Sequence, residues 1–69
     1  MITLTQQRAV ILVPAGVGAK AEIEDRRKSL LRWFTQRGWI LETERREDQR
    51  LAGRLLVKIS FRFHRQAVN

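Results

Sequence analysis

The chain has 69 residues, a net charge of +7 and no cysteine. A chain of this length forms one domain with a small core, and the missing cysteines exclude a disulfide scaffold. It has one histidine, so a structural metal site is not expected either, and association with a second copy is the remaining way to support such a core. We therefore expect a single domain, residues 1–69, that forms a homodimer in the reducing environment of the cytoplasm.

The positive charge comes mostly from arginine, whose planar guanidinium matches phosphate and carboxylate oxygens. This charge favours nucleic acid or an acidic protein as the partner. No segment is long and apolar enough to span a bilayer, so a membrane partner is not expected.

The first predicted element is a strand from Thr3 to Val13. It ends in a β-branched run, residues 9–13, that is apolar on both faces, which predicts a strand covered on both sides. Pro14 and the glycines that follow predict a loop. Because they interrupt the apolar stretch, we expect it to belong to the fold and not to a cleaved leader.

An amphipathic helix is predicted from Ala19 to Arg37, followed by Gly38 as the residue after the C-cap. Its apolar stripe consists of Ala19, Ile23, Leu30 and Phe34. Arg27 projects toward this stripe, where its aliphatic stem is expected to pack while the charge reaches water. The other basic residues of the helix have acidic neighbours and indicate a solvated face.

A second strand is predicted from Trp39 to Arg46, with Trp39, Leu41 and Thr43 on the core face and the glutamates at 42 and 44 on the other. The polar segment Glu47 to Gly53 is then a hairpin loop. The expected register places Glu42 opposite Lys58, or Glu44 opposite Arg54.

The third strand has the clearest pattern of the chain, because apolar and polar residues alternate from Arg54 to His64. Period-two alternation predicts a strand with one buried and one open face. The order β-α-β-β predicts an α+β fold of two layers, a split β-α-β arrangement in which one helix packs on one face of a three-stranded sheet. The third strand is expected between the other two, and a sheet with the second strand in the centre is the alternative.

The open face of this sheet is the candidate binding surface. On the third strand it carries Arg54, Lys58 and Arg62, joined by Arg45 and Arg46 near the hairpin tip. A second candidate is the tip itself, where Arg45, Arg46 and Arg50 would form a basic finger suited to phosphates, diluted by two acidic residues. Glu42 and Glu44 would neutralise part of the open face, so an ordinary salt-bridged surface is the competing interpretation. The face has no interleaved aromatic residues of the kind that stack bases in RRM domains.

The sequence contains no complete motif for catalysis or for a cofactor. The segment Gly16 to Lys20 lacks the full pattern of a phosphate loop, His64 has no second ligand for a metal, and the two serines have no base nearby in sequence. We therefore expect no enzyme, no catalytic residue, no metal and no cofactor. The two functional hypotheses are an architectural or regulatory nucleic-acid-binding protein, and a protein-interaction module such as a small inhibitor or adaptor from a mobile element that binds an acidic partner.

Overall fold

The structure is a computed structural model that describes the backbone of residues 2–68 and the side chains of residues 4–65. Its elements are β1 (Ile2–Pro14), α1 (Ala19–Gln36), β2 (Ile40–Leu51) and β3 (Arg54–Val68). The sheet order is β1-β3-β2, and β3 is antiparallel to both neighbours. The α+β split β-α-β prediction is confirmed, and the alternative with β2 in the centre is wrong.

The helix α1 ends as its sequence predicts. Gly38 has φ +82°, in the left-handed region that favours glycine. The amides of Gly38 and Trp39 donate to the carbonyls of Thr35 and Phe34, at 3.1 and 3.0 Å. This pair of hydrogen bonds is a Schellman motif, and the Trp39 ring lies edge-on to Phe34 to complete it. Such a helix, with charged residues throughout, is not apolar enough to cross a membrane.

The core lies between α1 and one face of the sheet. Its buried side chains are Ile11, Val13, Ile23, Phe34, Val57, Ile59, Phe61 and Phe63. The rings of Phe34 and Phe63 stack with centroids 4.0 Å apart and an angle of 3° between their planes. The prediction that β1 is covered on both faces is wrong for the described part of the chain, because Val10 and Leu12 are 52% and 44% exposed.

The hairpin between β2 and β3 is tighter than the sequence suggests. Its turn consists of Ala52 and Gly53, both at positive φ (51° and 77°), as a two-residue type I′ turn requires. The segment predicted as a loop from Glu47 continues β2 as far as Leu51. The residues of this part of β2 are exposed. Their polar composition therefore reflects a lack of core contacts, although the segment is a strand.

A β-bulge at Glu42 changes which side chains share a face. Leu41 is paired with Phe63 and Thr43 with Arg62, so Glu42 is an extra residue on β2. Beyond the bulge the alternation is inverted, and Thr43 moves to the open face while Glu44 moves to the helix side. Both expected registers are therefore wrong. The residues opposite Lys58 and Arg54 are Glu47 and Leu51.

Candidate functional site

The candidate site lies on the face of the sheet that points away from α1. Because the core face takes every second residue of β3 from Val57 to Phe63, the residues between them point outward. These are Lys58, Ser60 and Arg62, each partly buried because β3 is flanked on both sides. The central strand thus holds two cations, one on each side of a small hydroxyl side chain.

Neighbouring strands add further cations beside this hydroxyl. Arg8 of β1 is directly opposite Arg62, and Arg45 of β2 is directly opposite Ser60. Together with Glu47, which is opposite Lys58, these side chains line a groove of about 640 Å³. We call it the basic groove, and its defining side chains are Arg8, Arg45, Glu47, Lys58, Ser60 and Arg62.

Positive charge in the basic groove exceeds negative charge, because four of the six defining side chains are cations and one is a carboxylate. Lys58 Nζ lies 3.9 Å from Glu47 Oε1, which leaves both groups largely hydrated. Among the described side chains, no carboxylate oxygen lies within 4.0 Å of the guanidinium groups of Arg8, Arg45 or Arg62. Like charges placed directly opposite each other in a sheet are destabilising, and an anion in the groove would relieve that repulsion.

Three of the six sequence-predicted site residues belong to the basic groove, namely Arg45, Lys58 and Arg62. Arg54 shares the open face but lies near the turn, four residues and so about 13 Å from Lys58 along the strand. Arg46 and Arg50 are opposite Ile59 and Leu55, on the helix side of the sheet. The open-face prediction is therefore wrong for Arg46, because the bulge at Glu42 inverts the alternation of β2. Arg50, predicted as part of a basic finger at the hairpin tip, lies one residue before the end of β2, close to the turn.

Arg8 is the groove residue that sequence reasoning missed. It is an isolated cation in β1, because the other residues of that strand are uncharged. Its place in the groove follows from the register of β1 against β3, which pairs residues 54 positions apart. Alternation within β1 could have placed Arg8 on the open face, but not beside Arg62.

At one end the basic groove borders a carboxylate that contacts two neighbouring side chains. His64 Nδ1 lies 3.8 Å from Glu42 Oε2, and Gln6 Nε2 donates a hydrogen bond of 3.5 Å to the same oxygen. The Glu42 carboxylate is therefore occupied by its own neighbours and does not reach the arginines. The basic groove therefore does not extend to this end of the sheet.

Two cations on the helix side, Arg27 and Arg26, are paired with carboxylates. The Nε and Nη2 atoms of Arg27 donate to the two carboxylate oxygens of Glu44, both at 2.9 Å. These hydrogen bonds lower the pKa of Glu44 against the opposing effect of partial burial, and they raise the pKa of Arg27. Arg26 pairs with Glu22 at 2.9 Å. The Arg27 side chain is 36% exposed, and its charge is bound to a carboxylate and does not only reach water.

No cluster of three or more histidine, cysteine, aspartate or glutamate side chains that could hold a metal is present in the searched part of the chain. His64, the one histidine, faces Glu42 on the open side of the sheet. The groove itself offers cationic donors and a hydroxyl to an anion, with the carboxylate of Glu47 at its edge. Glu44 also lines it, but its carboxylate is bound to Arg27 on the helix side. This arrangement is suited to binding an anion and does not by itself indicate a reaction.

Comparison with known proteins found no matching family model, no similar curated protein and no similar solved structure. Function is therefore inferred from the residues of the basic groove.

Proposed function

We propose that this chain is a small nucleic-acid-binding protein, architectural or regulatory and not catalytic, that contacts phosphates through the basic groove. The observation that carries the proposal is the juxtaposition of Arg8 and Arg62, with Arg45 nearby, without a carboxylate partner for any of the three among the described side chains. We propose that it acts as a homodimer in the cytoplasm.

Geometry supports phosphate as the ligand. Adjacent strands are about 5 Å apart and successive outward side chains of one strand about 7 Å apart. Guanidinium groups on this grid can hold the oxygens of one phosphate from two sides, in the bidentate manner that arginine prefers. Lys58 lies two outward positions, about 13 Å, from Arg62 along β3 and can reach a neighbouring phosphate.

The same face indicates which part of the nucleic acid is contacted. The phenylalanine rings of β3, Phe61 and Phe63, are buried on the helix side and cannot stack on bases. Contacts made by arginine and lysine to phosphates position a protein without reading sequence. We therefore expect binding that depends strongly on salt and weakly on base sequence.

The test measures binding of short random DNA and RNA, single-stranded and duplex, by fluorescence anisotropy between about 50 and 200 mM salt. The groove variant carries Arg8→Gln, Arg45→Gln and Arg62→Gln. Its control carries Arg32→Gln, Arg46→Gln and Arg50→Gln, three exposed arginines away from the groove, and so has the same net charge.

The groove variant should lose most of the affinity, and its log-log salt slope on duplex DNA should fall by about 2 to 3 units, because each phosphate contact contributes about 0.9. The control should keep most of the slope. Equal binding by the two variants would overturn the proposal. If the wild type shows no salt-sensitive binding to any nucleic acid, an acidic protein becomes the expected partner.

A further inference from the structure

The two edges of the sheet differ in charge. β2 is one edge strand, and seven of its 12 residues are charged, which is a common protection against pairing with another chain. β1 is the other edge strand and carries one charge, Arg8. Among the described residues, no strand pairs with its outer side. Apart from Pro14, which has no N–H, the backbone donors and acceptors along that side are available to a further strand.

The unprotected edge has apolar side chains on both faces. On the open face, Val10 and Leu12 are half exposed. On the helix side, a shallow groove of about 580 Å³ runs beside the strand, lined by Ile11, Leu30 and Trp33 among others. The Trp33 ring is 49% exposed and is held in place by the guanidinium of Arg37, 3.8 Å above it.

We infer that a second copy of this chain pairs with the outer edge of β1, antiparallel and about a two-fold axis at Ile11, to form a six-stranded sheet. This inference rests on the homodimer of the proposed function and names the surface that forms it. The axis at Ile11 is the centre of the apolar run, residues 9–13, so this register places that run against itself.

Self-complementarity favours a second copy as the occupant of this edge. With the axis at Ile11, Val10 lies opposite Leu12 of the second copy, and Ala9 opposite its Val13. Arg8 lies opposite Pro14 of the second copy, so the one charge of the strand meets no like charge. A two-fold interface requires that one patch complement itself, and residues 8–14 meet that condition.

The pairing would also cover the helix-side groove. Antiparallel pairing about a two-fold axis perpendicular to the sheet leaves both helices on one face, so the two Trp33 side chains approach each other across the seam. A standard interface takes about 800 Å² from each partner, roughly a seventh of the 5431 Å² surface of one chain. Backbone pairing over residues 9–13, the apolar side chains on both faces and the two Trp33 side chains would all contribute to it.

The test measures the association constant by sedimentation equilibrium without nucleic acid. Val10→Lys adds a charge on the exposed side of β1, twice in the dimer, and should weaken association by at least about tenfold. Leu51→Lys is the matched control, since it adds the same charge at a side chain of similar exposure (57%) on the opposite edge, and it should leave association unchanged. Circular dichroism should show that both variants are folded.

Disulfide trapping tests the register, because the chain has no native cysteine. The double variant Val10→Cys, Leu12→Cys should form a covalent dimer on mild oxidation, and the two single variants should not. A covalent dimer of Val10→Cys alone would overturn the axis at Ile11.

Two results separate this inference from the proposed function. A dimer that survives Val10→Lys and is not trapped by the cysteines would overturn the β1 interface and leave the homodimer in place. A wild type that stays monomeric would overturn both the interface and the homodimer, while nucleic-acid binding is decided by its own salt titration.

Discussion

Arg8 and Arg62 lie directly opposite each other on adjacent antiparallel strands, and no described carboxylate lies within 4.0 Å of either guanidinium. Opposed like charges cost about 0.2 to 1 kcal/mol. Only eight of the described side chains are buried, so the fold has little stability to lose. The opposed pair is thus a cost that a bound anion would remove.

The first prediction concerns this repulsion. In buffer of low salt without phosphate, Arg8→Gln should raise the melting temperature by about 1 to 6 °C, because about 4 to 8 °C corresponds to 1 kcal/mol in a domain of this size. The gain should shrink in high salt or with added phosphate. Arg54→Gln, on the same face but opposite Leu51, is the control and should change little. A lower melting temperature for Arg8→Gln would contradict the prediction.

The second prediction concerns the pairing of Arg27 with Glu44. Glu44→Gln should cost about 0.5 to 1 kcal/mol at neutral pH, since the pair is partly exposed but bidentate. The fold lowers the pKa of Glu44. The stability that the pair contributes is therefore complete above the ordinary glutamate pKa and is lost as pH falls through the lowered value.

Thermal melts of the wild type and of Glu44→Gln, from neutral pH downward, check the direction of this pH dependence. Their difference should stay constant above about pH 5 and narrow below about pH 4. Asp48→Asn removes another acid of β2 on the helix side, opposite Val57, and provides the control. A difference that grows as pH falls would be incompatible with the pairing.

The sequence predicts those parts of the fold that depend on local patterns. Alternation along β3 identifies its buried face, and Gly38 identifies the end of α1, because each signal requires only neighbouring residues. The bulge at Glu42 has no such signal. It inverts the faces of the residues that follow, which brings Arg45 to the open face and moves Arg46 away from it.

Long-range pairing limits the prediction of the site in the same way. Arg8 joins the basic groove through a register between strands far apart in sequence, which alternation cannot determine. The far end of β2 has the composition of a loop because α1 does not cover it, although its backbone pairs with β3 up to Leu51. The strand propensity of a residue reflects the surroundings of its side chain, and at this end of β2 those surroundings are solvent.

The third prediction concerns the core. Phe34 is buried and stacks on Phe63, so Phe34→Ala should cost about 3 to 5 kcal/mol. Leu30 lies on the same stripe but is half-buried, and Leu30→Ala should cost less, about 1 to 2 kcal/mol. Urea denaturation measures both. Equal costs, or a melt of Phe34→Ala that overlays the wild type, would show that the stacked pair is not the main contact between helix and sheet.

The fourth prediction concerns Glu47, the acidic member of the basic groove. Glu47→Gln removes the carboxylate 3.9 Å from Lys58 and should strengthen binding to duplex DNA several-fold at low salt, because the freed ammonium can pair with a phosphate. The log-log salt slope should steepen by up to about 0.9 for this one additional contact. Asp48→Asn is the matched control, since it removes the same charge from the next residue, whose side chain lies on the helix side opposite Val57. If the two substitutions strengthen binding equally, net charge governs affinity and the basic groove does not. A larger gain for Glu47→Gln, measured by anisotropy on one duplex, locates the contact at Lys58.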